Sequence, residues 1–162
     1  MTVMQAVLIL ALYTFVPALE LRFSIPYGLV NYSSLMGASS VVAVCIVANI
    51  LLAPAVWLFI DRGMNVFLRV GWIERLYSRI VTRTRERLHP YVERWGTLGL
   101  AVFIGVPLPG SGVYSGALGA YLLGFGLRQY LLASVLGVLI AAAAVTAVAV
   151  TGVAALDFVL KH

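Results

Sequence analysis

Ionisable side chains are scarce in this chain, and so are most residues on which soluble enzyme chemistry is built. Six acidic residues, two histidines and one cysteine are spread over 162 positions. A single cysteine excludes an internal disulfide, and Cys45, set in an apolar run, reads as a buried, inert thiol. His89 and His162 lack the spacing of metal ligands, and no Cys/His/Asp/Glu cluster stands near either. No Ser/His/Asp grouping appears, nor a phosphate-cradling loop ahead of a lysine. The expectation is a protein that is not an enzyme and uses no metal or cofactor.

What fills the chain instead is apolar. It is 62% hydrophobic with a mean hydropathy of +1.03, and only 10% of its residues are charged. That composition belongs to multi-pass proteins of the cell membrane. Charge is also unevenly placed: 12 of the 17 charged residues fall between Asp61 and Arg94, while residues 23–60, 95–127 and 129–156 carry none. A span needs about 20 apolar residues, so two or more fit. Residues 1–19 lack the basic start and the small-x-small cleavage site of a signal peptide.

Four hydrophobic stretches separate, at about 1–19, 35–60, 97–126 and 129–156. The second and fourth have the uniformity of spanning helices, and their small residues suit close helix packing. The first runs into Pro17, Glu20, Arg22 and Pro26; the third carries Pro107, Pro109 and seven glycines from Gly105 to Gly126. Proline removes a backbone donor and glycine weakens a helix, and backbone freed in this way cannot face lipid. Both stretches are therefore expected to be re-entrant hairpins, each a short helix, a break and a second short helix. The fold class that follows is an all-α membrane protein of two inverted repeats, 1–60 and 96–162, each a broken hairpin followed by a spanning helix. A basic connector, 61–95, joins them within one membrane domain. Its eight arginines against four acids place it in the cytoplasm. Ile73, Leu76, Tyr77, Ile80 and Leu88 recur at helical spacing, the pattern of an amphipathic helix on the lipid surface. Nucleic acid is not an expected partner of so short a membrane-bound loop.

Two short stretches carry the chemistry. In ELRFSIPYG, Pro26 biases Ile25 toward extended backbone, which would turn Glu20 and Arg22 to one side. Ser24 would then cap the following short helix, and Ser24–Gly28 would form the hairpin tip. In VPLPGSGVYSG, Pro107, Pro109 and Gly110 break one half-helix, and Ser111 or Gly112 starts the next with a positive dipole end. Arg128 reads either as an interfacial anchor or as a second cation facing the site. Charges at membrane depth cost several kcal/mol and point to function.

ELRFSIPYG resembles the E-x-R-x-x-I-P-x-G signature of the small multidrug export protein family. The run from Gly96 to Gly124 is similar to that family's P-x-P-G-[ST]-G segment, with Ser111 where threonine is common and Tyr114 where tryptophan is frequent. The family resembles in turn the DedA superfamily of re-entrant-hairpin proteins, implicated in translocating lipids and polyprenyl phosphates. The resemblance implies that Glu20 and Arg22 lie near a substrate and proton path. The expected function is a small proton-coupled transporter or flippase for an amphipathic, anionic substrate such as a lipid phosphate. Glu20 would carry the proton, and the two tips, Ser24–Gly28 and Pro107–Gly112, would form the site. One acid against one arginine, with two helix ends, tips the balance toward anions. Export of amphipathic cations and a non-transporting scaffold are the alternatives. With two full spans, a homodimer is expected. The re-entrant arrangement places both termini outside and Arg128 on the cytoplasmic side; the alternative, four full spans, places both termini inside and Arg128 outside. In the re-entrant arrangement an engineered cysteine near residue 162 is expected to react with an impermeant thiol reagent from outside only; labelling confined to the cytoplasmic side would refute that topology.

Overall fold

The computed structural model describes residues 2–17, 19–67, 95–107 and 111–160. These form helices α1 (Val3–Phe15), α2 (Glu20–Met36), α3 (Ala38–Phe67), α4 (Trp95–Gly105), α5 (Val113–Leu123) and α6 (Leu127–Leu160), with no strand among the described residues. The order is short, short, long, twice over. Ala38–Met64 and Leu127–Gly152 are long and apolar enough to cross a membrane. The amphipathic helix expected in the connector lies outside the described residues. The connector's first residues do not: Asp61 and Arg62 continue α3 as helix.

Local sequence explains most of the element ends. Thr2 and Gln5 form a capping box at the start of α1, the Gln5 amide reaching Thr2 Oγ1 at 3.4 Å and the Thr2 amide reaching Gln5 Oε1 at 2.9 Å. The helix stops because Val16 precedes Pro17 and takes extended backbone, with φ −75° and ψ 123°. The break in the first segment is therefore at residues 16–19, and the expected break at Pro26 is not found. Pro26 lies inside α2, and Ile25 before it stays helical. Burial outweighs the local bias here: Leu21 and Ile25 are both packed in the core. Gly37, with φ 81°, separates α2 from α3.

α2 and α3 form an antiparallel pair, with Gly28 against Val41 and, one turn along, Ser24 against Cys45. α1 packs on both, and Tyr13 stands edge-on to Phe23 and Tyr27 with ring centroids 5.3 and 5.0 Å apart. The second set docks on the first reciprocally: α2 packs on α6 as α5 packs on α3, and α3 meets α6 directly. Trp57 of α3 stacks on Tyr130 of α6 at 5.1 Å. Ile104 of α4 fills the space above Gly116 of α5 and Gly137 of α6.

Gly137 is fixed by that approach. A Cβ there would lie 2.7 Å from Ile104 and 2.8 Å from the Ala101 carbonyl oxygen, which is backbone and cannot move aside. Gly119 and Gly152, by contrast, have nothing within 4 Å of such a Cβ. Gly137→Val is expected to destabilise by about 1–3 kcal/mol, the range of overpacked cores. Gly119→Ala should be neutral or stabilising by up to ~1 kcal/mol through helix propensity alone. Thermal unfolding in detergent micelles separates the two; equal effects would mean that α4 does not pack on α6 as described.

Candidate functional site

Two chain breaks meet in the interior, the first between α1 and α2 and the second between α4 and α5. Each leaves helix ends whose amides or carbonyls have no partner in their own helix, a demand that lipid cannot meet. Glu20 and Arg22, from the first turn of α2, meet much of that demand on the second break.

Glu20 is buried, 3% exposed, and Leu19 before it offers no side-chain cap. Its backbone has φ 44°, the left-handed region that few glutamates enter, at a cost of about 1–3 kcal/mol. The carboxylate crosses to the start of α5 and accepts the Val113 amide at Oε2 (3.3 Å) and the Tyr114 amide at Oε1 (3.4 Å). Gly112, the residue before α5, has no side chain to cap that helix, so Glu20 caps it from another segment. Only glycine fits at this point. Gly112 has φ 136°, and a Cβ would come within 2.7 Å of Glu20 Oε1 and of Arg22 Nη1.

Arg22 serves the opposite pole. Its Nη2 donates to the carbonyls of Ile104 (3.1 Å) and Val106 (2.9 Å), at and just beyond the end of α4, and to Ser111 Oγ (2.9 Å). Its Nη1 donates to the Ser111 carbonyl and lies 3.6 Å from Glu20 Oε2. Ser111 Oγ in turn donates to Val106 O at 2.5 Å. The acid thus sits at a positive helix end and the base at a negative one. A lone charged side chain at the bilayer centre costs about 2.5–3.5 kcal/mol on insertion scales. A hydrogen bond to a charged group contributes about 1.5–3 kcal/mol, so two on Glu20 and four on Arg22 are enough to offset it.

The bonding runs in both directions. Tyr114 donates its hydroxyl to Phe15 O at 2.5 Å, which closes the end of α1, and Tyr130 of α6 donates to Val113 O at 3.0 Å. Beside Tyr114 opens a groove of about 580 Å³ between α3 and α5. It is lined by Pro17, Ala55, Val56, Phe59, Ile60, Tyr114, Ser115 and Leu118, an apolar wall with two hydroxyls at the break.

Of the residues singled out in the sequence, Glu20, Arg22, Ser111 and Gly112 come together here. Ser24, Pro26 and Gly28 do not. Ser24 is no helix cap; it shares a 2.9 Å hydrogen bond with Thr14 inside the core. Gly28 packs on Val41 and Leu10, and Pro26 stays mid-helix, because the break they were expected to form lies at residues 16–19. Pro107 is exposed just after α4, Arg128 is exposed in the first turn of α6, and Pro109 and Gly110 lie outside the described residues. Among the described residues, no cluster has the composition of a metal site. Tyr130 and Thr14 went unremarked in the sequence. A tyrosine or threonine in an apolar helix, where its polar tip needs a partner, was the available signal.

Fold and site define a membrane protein, helical throughout its described elements, whose interior charges join two broken segments. Residues 20–144 match the family described as "putative small multi-drug export protein", and the chain belongs to that family, whose description assigns an export, hence transporter, role. No curated protein and no solved structure matches the chain.

Arg22→Met removes the four bonds that Arg22 makes to the second break and leaves Glu20 without its counter-charge. Unfolding in detergent should become easier by about 3–5 kcal/mol, as for other broken buried pairs. Glu20→Gln, which keeps an amide-accepting oxygen, should lose less than half of that. A smaller loss for Arg22→Met than for Glu20→Gln would contradict the described bonding.

Proposed function

We propose that the chain is a small secondary transporter for an amphipathic anion such as a lipid or polyprenyl phosphate, and that Glu20 is displaced as the substrate binds. The observation that carries this reading is the seat at the start of α5. Free amides and a nearby arginine make an anion site, and the anion that occupies it belongs to the protein. Two negative groups cannot share the Val113 and Tyr114 amides. A substrate headgroup therefore enters as the Glu20 carboxylate leaves, and protonation of Glu20 is what lets it leave. The apolar body of the substrate would lie in the groove along Ala55, Phe59 and Leu118, which also reaches Tyr114.

The wider architecture follows from the same reading. The short-short-long order, repeated with α2 on α6 as α5 is on α3, supports two inverted repeats whose short helices re-enter, the arrangement also expected of DedA-like proteins. The connector would then be cytoplasmic, and rocking of one repeat against the other would expose the seat alternately. Pro107, Pro109 and Gly110 would shape the second tip, Arg128 would draw anionic headgroups toward it, and a homodimer would shield the repeats from lipid.

Export of an amphipathic cation is the second reading; the family description favours drug export, and the described groove lining carries no charge of either sign to decide between the two. The two differ in sign at Glu20. For an anionic substrate, Glu20→Gln should bind labelled polyprenyl phosphate about tenfold tighter, a gain near 1.4 kcal/mol, because the competing charge is gone. Wild-type affinity should rise as pH falls, the variant should lose that pH dependence, and its transport in liposomes should stall for want of a releasing step. Weaker anion binding by Glu20→Gln, together with lost cation binding, would instead establish the cation reading. A variant that transports at the wild-type rate would remove Glu20 from the mechanism.

A further inference from the structure

Asn49 is fully buried in α3, and neither its carbonyl oxygen nor its amide nitrogen has a hydrogen-bond partner. In an apolar interior an unpaired donor or acceptor is costly, about 1–3 kcal/mol for each group, and leucine of similar volume would avoid it. The register of the helices places this residue. Gly28 of α2 faces Val41 of α3, and one turn along, Ser24 faces Cys45 with Thr14 alongside. The next turn of each antiparallel helix brings Glu20 and Asn49 to one level. α1 has ended before that level, at Phe15.

We infer that Asn49 is the docking group for protonated Glu20 after it leaves the start of α5. The chemistry selects the ligand. An anion would satisfy only the Asn49 Nδ2 donors, and a cation only Oδ1. A neutral carboxylic acid offers one donor and one acceptor side by side, which matches a carboxamide in two hydrogen bonds. The proton comes from water on the side to which the seat is open, and it returns there or to the far side when the carboxylate goes back to the Val113 and Tyr114 amides. The other ionisable groups around this level are Arg22 on α2, Cys45 on α3, Tyr114 on α5 and Tyr130 on α6. Arg22 already holds the Ile104, Val106 and Ser111 carbonyls, and the Tyr114 and Tyr130 hydroxyls already donate to Phe15 and Val113. Among the described residues Ser134 Oγ and Thr146 Oγ1 of α6 and Arg22 Nε are also buried without a partner, but Asn49 alone of these presents a separate donor and acceptor side by side, and it lies on the helix paired with α2.

This inference rests on the displacement reading of Glu20, and the test separates the two. Infrared difference spectra of the reconstituted protein, low pH minus neutral, should contain a protonated-carboxyl C=O band that is absent in Glu20→Gln. In Asn49→Leu that band should move to higher wavenumber, because its hydrogen bonds are lost. The same variant should unfold at higher temperature than wild type, having shed an unpaired carboxamide, yet transport about tenfold more slowly, the factor carried by one ordinary hydrogen bond. Asn49→Ser, too short to reach, should shift the band likewise and serves if the leucine variant does not fold. A Glu20 band unmoved in both variants overturns the docking role. If Glu20→Gln still gains anion affinity in that case, the displacement reading stands alone. A wild-type protein with no Glu20 band at any pH overturns both.

Discussion

Everything in this structure leans on one exchange of hydrogen bonds across two interrupted segments. The first turn of α2 gives its acid to the amides that open α5 and its base to the carbonyls around the end of α4. Without that exchange the second break would leave unpaired backbone in an apolar interior, and Glu20 and Arg22 would have only each other. Each defect is expensive alone. Together they cancel, and the cancellation fixes how the two sets of helices dock. Gly112 belongs to the same constraint, since any side chain there would occupy the space in which the acid and base meet.

Composition and charge placement made the membrane class and the six-part segmentation legible. That Glu20, Arg22, Ser111 and Gly112 stand at the breaks and come together was legible, because charge, proline and glycine in lipid have few bland explanations. The position of the first break was not. Pro17 and Pro26 carry the same local bias, and the sequence alone offers no way to rank them. The deciding term is the burial of Leu21 and Ile25 in the common core, a property of the assembled bundle. For the same reason Ser24 looked like a cap: its actual partner, Thr14, is distant in sequence and reached only through the α1–α2 packing.

The site also changes how its arginine should be understood. Read from sequence, Arg22 turns to the same side as Glu20 and helps to bind an anionic group. In the folded chain its two terminal nitrogens are shared among three backbone carbonyls, a serine hydroxyl and a carboxylate. Any ligand that binds there must replace something already bound. On the proposed displacement reading, selectivity would come from what a ligand offers over Glu20 in charge at the helix end and in apolar area along the groove beside Tyr114.

Pro26 acquires a different meaning in this light. Having no N–H, it cannot bond the carbonyl of Arg22, so α2 lacks one rung just where its charged first turn joins the rest of the helix. A rod with a missing rung bends there first. The residue that looked like a break is an interruption that core packing bridges: Leu21 and Ile25 before it and Gly28 and Tyr32 after it are all buried. The charged first turn is therefore held to the rest of α2 by its apolar neighbours rather than by an unbroken ladder of backbone bonds.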